Sequence, residues 1–480
     1  MGHILRLPIL IRILLPLIVI PIVGISPRPH QVDEAAVKAR RAENFQSYLS
    51  ASQNLLQVVT HFPHRLDLKE LAGQYAIQGG DLKAGTNLLI ELARERDLTP
   101  ASHIALGDAA SQQSDPHAAI EAWSTALEAG GDPLVLYPRL AEAHRKLGNH
   151  EAVIQNLQKL SELQPADAQV IYQIGLLHAA RDPEQAINYL TRALEIDPGL
   201  EAAIQPLRRS LRTARLSNNR AYSLIISGRE LAAMQAWDLA EEAFRQATTI
   251  QPDYAEAWAF LAEARQHQSA NDYANELTWE NLETALRLDP NSVAVNSLTG
   301  LYWQRRGRHD LALVYLHAAV EADPDNPTLH IELGNTLTQL GQITTAQKYY
   351  QAAVEMSPGD PLYWRALAAF SVNFELEVRE VGLPAARQAV VLAPDDPASL
   401  DVMGRVFTLL DDPLSARRFL HRALLNDPGY APARLHLGLL YLIEGDTPAA
   451  REQISLAHSL ALPGTPTADQ ANRLLQRYFP

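Results

Sequence analysis

The sequence predicts an all-α fold, a solenoid of stacked helix hairpins behind an apolar N-terminal segment. Three patterns predict it: a recurring proline, capping residues at regular positions, and small residues that repeat in register. The proline returns every 33 to 38 residues, with one interval of 54, at Pro165, Pro198, Pro252, Pro290, Pro324, Pro358, Pro394, Pro428 and Pro463. A period near 34 is typical of two-helix repeats, which contact mainly their neighbours and form an extended surface.

Helix ends are marked in the same period. Each recurring proline should end a second helix, because proline lacks an N–H and its ring clashes with the preceding turn. Helix starts are marked by a capping side chain before a proline in the first helical position. These pairs are Asn326-Pro327, Asp360-Pro361 and Asp396-Pro397 for first helices, and Asp115-Pro116, Asp182-Pro183 and Asp412-Pro413 for second helices.

Composition narrows the function classes. The chain has 480 residues, 47% of them hydrophobic, and a formal net charge of −14. An acidic chain is poorly suited to binding nucleic acid, which needs clustered Lys and Arg. The absence of cysteine excludes disulfides, thiolate metal sites and a cysteine nucleophile.

Residues 1–30 differ from the rest and predict a transmembrane or signal-anchor helix with a short linker. The apolar stretch from Leu7 to Ile25 is broken only by Arg12, and its 19 residues approach the ~20 needed to span a bilayer. A cleaved signal peptide is the alternative. Pro27 should hinder cleavage after Ser26, so cleavage after Gly24 is the site that this alternative leaves open. A buried helix of the solenoid is a third interpretation.

The charges around this segment and the length of the tail before it predict opposite orientations in the membrane. More positive residues follow the segment than precede it, which favours a cytoplasmic body. The very short N-terminal tail favours export of the body. We expect a single-pass protein with an extracytoplasmic body, and the cytoplasmic alternative stays open. The charges in question are Arg6 and Arg12 on one side and Arg28, Lys38, Arg40 and Arg41 on the other.

Along the chain, the patterns predict six regions. They are the anchor and linker at 1–30, a degenerate first hairpin at 31–63, repeats at 64–200, an additional basic helix at 201–220, repeats at 221–463 and a C-terminal capping helix at 464–480. A longer turn is expected around Gln268 to Asn275. Two extra residues are expected near Val381 to Pro384.

The unit from Pro327 to Asp360 carries Leu333-Gly334, Ala346, Tyr350, Ala353 and Pro358. This series resembles the tetratricopeptide repeat, and it recurs in about eleven units over roughly residues 65 to 463. The resemblance implies a right-handed α-solenoid, no cofactor and a concave groove formed by the first helices. That groove would bind a protein partner as a peptide or a helix. Position by position, the resemblance places Tyr172, Gln173, Gln304, Arg305, Asn335, Gln339, Arg365 and Arg405 in the groove.

The chain carries no phosphate-binding, nucleophile-elbow or metalloprotease motif, and its histidines lack metal-ligand spacing. We therefore expect no catalytic or metal site, no small-molecule substrate and no enzyme activity. One basic cluster could bind an anionic partner. The default interpretation is a solvated face paired with neighbouring acids. The cluster consists of Arg208, Arg209, Arg212, Arg215 and Arg220.

Together these patterns favour a membrane-tethered scaffold that binds protein. The resemblance suggests a bacterial envelope protein that serves assembly, secretion or glycan export. A secreted soluble binding protein with a cleaved signal is one alternative. A regulatory subunit of an enzyme complex, such as that of a glycosyltransferase, is another.

Overall fold

A computed structural model describes residues 45–268 and 272–479 of the chain. Every regular element in these ranges is helical, which confirms the all-α prediction. None of the helices described has both the length and the apolar character that crossing a bilayer requires. The predicted anchor at 1–30 and the first part of the predicted hairpin at 31–63 lie outside the described residues.

The chain divides into two compact units, Met1–Asn218 and Asn219–Pro480. The described part of the first unit has four complete helix hairpins, with one helix before them and one after. Its helices are α1 (Phe45–His61), α2 (Leu66–Gln78), α3 (Leu82–Ala93), α4 (Pro100–Gln112), α5 (Pro116–Glu128), α6 (Pro133–Lys146), α7 (His150–Leu163), α8 (Ala168–Ala179), α9 (Pro183–Ile196) and α10 (Glu201–Arg215), with a 3-10 turn at Pro198–Leu200 before α10.

The described residues of the second unit form seven hairpins and a final helix. Its helices are α11 (Arg220–Ala233), α12 (Trp237–Ile250), α13 (Ala255–Gln268), α14 (Asp272–Leu288), α15 (Val293–Arg305), α16 (His309–Ala322), α17 (Pro327–Gln339), α18 (Ile343–Met356), α19 (Pro361–Asn373), α20 (Leu383–Leu392), α21 (Pro397–Leu409), α22 (Pro413–Asn426), α23 (Ala431–Glu444), α24 (Thr447–Leu460) and α25 (Pro466–Tyr478), with a π-helical turn at Val378–Gly382 before α20.

Small residues let the two helices of a hairpin approach closely. A Cβ added to Gly404 would lie 2.7 Å from Cγ of Leu420, and one added to Gly438 would lie 2.6 Å from Cγ1 of Ile454. Leucine, tyrosine and alanine side chains fill the remaining space, so each hairpin has its own buried layer. Each hairpin then packs on the next, which confirms the predicted stacking within each unit.

The predicted helix starts are confirmed in detail. All six predicted caps accept a hydrogen bond from a backbone N–H in the first turn of their helix. The Asp360 side chain, for example, accepts from Leu362 N at 2.8 Å. The recurring prolines also follow the ends of second helices, as Pro358 follows α18.

Two sequence expectations need correction. The turn expected around Gln268 to Asn275 is shorter, because α14 already begins at Asp272. The extra residues expected near Val381 to Pro384 are accommodated further upstream. There Glu375 and Glu377 have φ angles of 52° and 48°, and the π-helical turn follows.

Candidate partner-binding groove

First helices of the second unit line a pocket of about 430 Å³, which we call the central pocket. Three residues predicted for the groove meet there: Gln304 from α15, and Asn335 and Gln339 from α17. The pocket is also lined by Phe370, Asn373 and Phe374 at the C-terminal end of α19. Its surface therefore combines side-chain amides with aromatic rings, a mixture suited to a peptide with both polar backbone and apolar side chains.

The amides in this pocket differ in their partners. Gln304 Nε2 donates to Thr336 Oγ1 at 2.7 Å and to the Glu332 carbonyl at 3.1 Å, so this amide joins α15 to α17. Asn335 accepts a hydrogen bond from the Tyr350 hydroxyl through Oδ1. Burial raises the pKa of Tyr350, which keeps that hydroxyl a donor. Gln339 is exposed and makes no hydrogen bond with the residues described.

Two predicted groove arginines form ion pairs within the unit. Arg305 donates to both carboxylate oxygens of Glu263, at 2.6 and 2.7 Å, and this hydrogen-bonded pair raises the pKa of Arg305. Arg365 donates to Asp396 Oδ2 at 2.8 Å. Burial alone would raise the pKa of Asp396, but hydrogen bonds from Ser399 and the charge of Arg365 outweigh burial and lower it. Both arginines therefore hold neighbouring helices together.

Arg405 is the exception among the groove arginines of the second unit. Its guanidinium donates to the Asn373 side-chain oxygen. No carboxylate oxygen of the described residues lies within ion-pair distance of it. Burial lowers the pKa of Arg405, and Asp401 and Tyr430 offset only part of that effect. Arg405 thus carries a half-buried charge next to the central pocket, and among the described residues it is hydrogen-bonded to an amide and not to a carboxylate.

Residues that the sequence did not single out surround Arg405. Asp401 is 5% exposed, and its Oδ1 lies 2.7 Å from Nδ1 of His436 on α23. Burial and the nearby Asp401 carboxylate raise the pKa of Tyr430 to about 12. Asp401 precedes Arg405 by one helical turn, and this four-residue spacing is a sequence signal that could have placed Asp401 next to Arg405. Tyr430 gives no such signal, because it reaches the cluster from the following hairpin.

The other two predicted groove residues lie in the first unit. Tyr172 is half-buried on α8 and Gln173 is exposed beside it. Burial raises the pKa of Tyr172. Neither side chain forms a hydrogen bond with the residues described, and their role in binding stays a prediction.

The predicted basic cluster is divided between the two units. Four of its arginines lie on α10, and Arg220 begins α11. Three of the four on α10 are exposed, as a solvated face requires, and none of the four has a carboxylate within ion-pair distance among the described residues. Arg208 is half-buried, and its Nε has no hydrogen-bond partner in the described residues. Binding of an anionic ligand by this face stays a prediction. The four are Arg208, Arg209, Arg212 and Arg215.

No group of three or more His, Asp or Glu side chains in the described ranges is arranged to hold a metal ion. His61, which the sequence places near His64, interacts instead with its own helix, with Nδ1 3.0 Å from the Gln57 carbonyl.

Comparisons with solved structures find other helical-repeat proteins. Yeast Tom70 is 17% identical over 78% of this chain and 95% of its own, with a TM-score of 0.36. The APC/C hetero-tetramer Cut9-Hcn1 is 15% identical over 93% and 97%, with a TM-score of 0.39. YrrB, titled a TPR protein with an unusual peptide-binding site, is 19% identical over 40% and 98%, with a TM-score of 0.29. No curated protein sequence matches the chain.

Family models give the firmer comparison. Three models described as tetratricopeptide repeat match residues 304–370, residues 104–168 and 280–327, and residues 168–200. The matches fall in both compact units and coincide with helix hairpins of the structure. The chain is a tetratricopeptide repeat protein.

Proposed function

We propose that this protein is a membrane-tethered scaffold whose repeats bind a protein partner in the groove of first helices. The central pocket is the observation that carries the binding part of the proposal. It combines the exposed amides of Asn335, Gln339 and Asn373 with the exposed ring of Phe374. Amides can bind the backbone of a partner, while an exposed aromatic ring gains apolar contact area when a side chain covers it.

A photo-crosslinking amino acid at Gln339 tests this binding surface. The matched control places it at Glu355, which is exposed on the second helix α18 of the same hairpin. In membranes from expressing cells, we expect a crosslinked protein product from position 339 and none from position 355. Equal products from both positions, or none from either, would overturn the groove as the binding surface.

Tethering is the second part of the proposal, and the 19-residue apolar stretch from Leu7 to Ile25 supports it. We expect the full chain to stay with membranes after alkaline carbonate extraction and a chain without residues 1–30 to be released. A mature mass that lacks residues 1–24 would support the secreted alternative instead. Protease digestion of intact and lysed cells then decides whether the body is extracytoplasmic, as we propose.

The envelope is the proposed place of action, with assembly, secretion or glycan export as the process served. This step depends only on the resemblance to membrane-anchored bacterial repeat proteins. Identification of the protein crosslinked at position 339 tests it directly. A partner from none of these processes would overturn this part without affecting the groove.

A further inference from the structure

We infer that the groove of the second unit recognises a two-part motif: a large apolar side chain that packs on Phe374, and an acidic side chain nearby in the same peptide that pairs with Arg405. The inference depends on the proposed function, because it assigns a partner chemistry to the proposed groove. It goes further by naming the two residues of this chain that would select the partner.

The aromatic half of the site is an exposed ring on a fixed support. Phe374 is 40% exposed, and its ring centroid lies 5.2 Å from that of Phe370, which is buried. Phe370 in turn stacks on Tyr350 at 4.7 Å. A ring backed in this way loses little conformational freedom when a ligand covers it, so the apolar contact adds to affinity with a small entropic cost.

An irregular turn places Phe374 at this point. The two residues with positive φ, Glu375 and Glu377, follow it directly. Left-handed conformations cost non-glycine residues energy, and such strain concentrates at binding sites. The turn is held by the Leu376 N–H, which donates to the Ser371 carbonyl at 2.9 Å, and by Gln347, which donates to Glu377 Oε2 at 2.7 Å. Regular hairpins of the unit share the first left-handed residue and this backbone bond, as Gly341 and the Gln342 N–H to Leu337 carbonyl bond show. The second left-handed residue, Glu377, and the π-helical turn after it set this hairpin apart.

Arg405 supplies the charged half. Its hydrogen bond to Asn373 places the guanidinium one side chain away from the central pocket, because Asn373 is part of the pocket lining. An amide oxygen carries only a partial negative charge, so it compensates a half-buried cation less well than a carboxylate, which brings a full opposite charge and can bind the guanidinium through two oxygens. A guanidinium has several N–H donors, so Arg405 can keep its hydrogen bond to Asn373 and donate to a partner carboxylate as well.

Charge complementarity favours an acid over other ligands at this position. The neighbouring groove arginines, Arg305 and Arg365, are neutralised by Glu263 and Asp396. Asp401 is engaged by His436. Arg405 is therefore the groove arginine of the second unit that a partner carboxylate can reach without displacing an existing ion pair. Because the chain as a whole carries a net charge of −14, acidic peptides should bind through this local contact and not through general attraction.

The probe for the test is a phage-displayed library of random 12-residue peptides, selected on the full chain in detergent micelles. We expect the enriched peptides to share a large apolar residue close to Asp or Glu. Fluorescence anisotropy then measures one labelled peptide and its acid-to-amide counterpart against the wild type, Arg405→Gln and Phe374→Ala. Arg451→Gln and Leu425→Ala are matched controls, because both residues are exposed on second helices of the same unit.

We expect Arg405→Gln to lower the affinity for the acidic peptide about 10-fold or more and to leave the affinity for the amide peptide unchanged. Phe374→Ala should lower the affinity for both peptides about equally. The control variants should leave both affinities unchanged. Arg405→Lys keeps the cation and should retain part of the preference for acid. Unchanged circular dichroism and thermal midpoints for each variant separate lost recognition from lost folding.

Other outcomes overturn the inference in distinguishable ways. If the selected peptides lack a shared acid, or if Arg405→Gln weakens the acidic and amide peptides equally, the inference fails. Groove binding would then still stand if a Gln339 crosslinker captures the peptide. If no peptide is enriched over an empty support and the crosslinker at Gln339 captures nothing, both the inference and the proposed function fail.

Discussion

Two neighbouring hairpins of the second unit, α17–α18 and α19–α20, differ in a way that separates repeat architecture from recognition. The regular hairpin α17–α18 turns through Gly341, whose φ of 75° suits glycine. The irregular hairpin α19–α20 turns through Glu375 and Glu377, which are strained at similar angles. Both pack through small residues, yet the ring that the regular hairpin gives to the pocket, Tyr350, is buried, whereas Phe374 of the irregular hairpin is exposed.

The interior contacts of the two hairpins differ as well. In the regular hairpin Tyr350 reaches Asn335 across the helix pair. The corresponding residue of the irregular hairpin, 36 positions later, is Ala386. Gly382 occupies the place of Ala346, and a Cβ there would lie 2.7 Å from the Ser371 hydroxyl oxygen. The comparison indicates that the irregular hairpin exchanges interior packing for a displaced turn.

The largest difference in stability between the two hairpins is expected when a side chain is added at a closely packed glycine. We expect Gly382→Val to lower the free energy of unfolding by about 2–3 kcal/mol, because the new side chain meets the buried Ser371. Gly334→Ala should change it by less than about 1 kcal/mol. Its Cβ would lie 3.1 Å from the Tyr350 ring, and the gain in helix propensity offsets this crowding. Urea titrations followed by circular dichroism measure both variants, and equal losses would contradict the comparison.

The next largest loss of stability is expected at the contact between the irregular hairpin and α21. Asp396→Ala removes a helix cap and the partner of Arg365, so we expect a loss of about 1–2 kcal/mol at neutral pH. Because the folded state lowers the pKa of Asp396, its contribution is present above the usual carboxyl value and disappears as pH falls through the lowered one. The difference between variant and wild type should therefore shrink in acid.

Ser292→Ala is the control for that variant. Ser292 caps α15 through a hydrogen bond from Val295 N at 3.4 Å, and its hydroxyl does not titrate over this range. We expect a loss of about 1 kcal/mol that stays constant over the same pH range. If the difference in unfolding free energy between the wild type and Asp396→Ala were also constant with pH, that result would argue against the ion pair.

A smaller effect tests the interior of the regular hairpin. Tyr350→Phe keeps the packing but removes the hydrogen bond to Asn335, and we expect a loss of about 1 kcal/mol. Tyr315→Phe is the control, because no hydrogen bond of the Tyr315 hydroxyl is found among the described residues. Equal unfolding midpoints for the two variants would mean that the Tyr350 hydroxyl contributes nothing.

The smallest effect should appear in the irregular turn. Glu375→Gly relieves a left-handed conformation but adds flexibility to the unfolded chain, so we expect a gain of about 0.5 kcal/mol. Gly341→Ala imposes the opposite change on the regular turn and should lose about 1 kcal/mol. Thermal midpoints of the two variants should move in opposite directions. A shift of the same sign in both would refute strain in the irregular turn.

Much of the fold could be predicted because its signals are local. The proline after a second helix, the aspartate or asparagine before a first one and the small residues between them all act within a few residues of their position. Gln304, Asn335 and Gln339 could be placed in one groove for the same reason, since one repeat register applies to all of them. The membrane anchor and its orientation remain predictions.

The state of the groove arginines could not be predicted. Arg305 pairs with Glu263, which lies 42 residues earlier in the chain, while the hydrogen bond of Arg405 among the described residues goes to the amide of Asn373. Both arginines occupy first helices and look alike in the sequence. Their difference depends on which side chains the neighbouring hairpins bring within about 3 Å, and a repeat register does not contain that information.

By itself, the sequence determined the repeat, its period, the ends of its helices and the small residues that allow close pairing, because these follow from backbone sterics and hydrogen bonding within each hairpin. Only the tertiary structure decided which polar groups of the groove are neutralised and where the extra residues of the irregular hairpin go. Those outcomes depend on contacts between hairpins, where the position of one side chain is fixed by neighbours from another repeat.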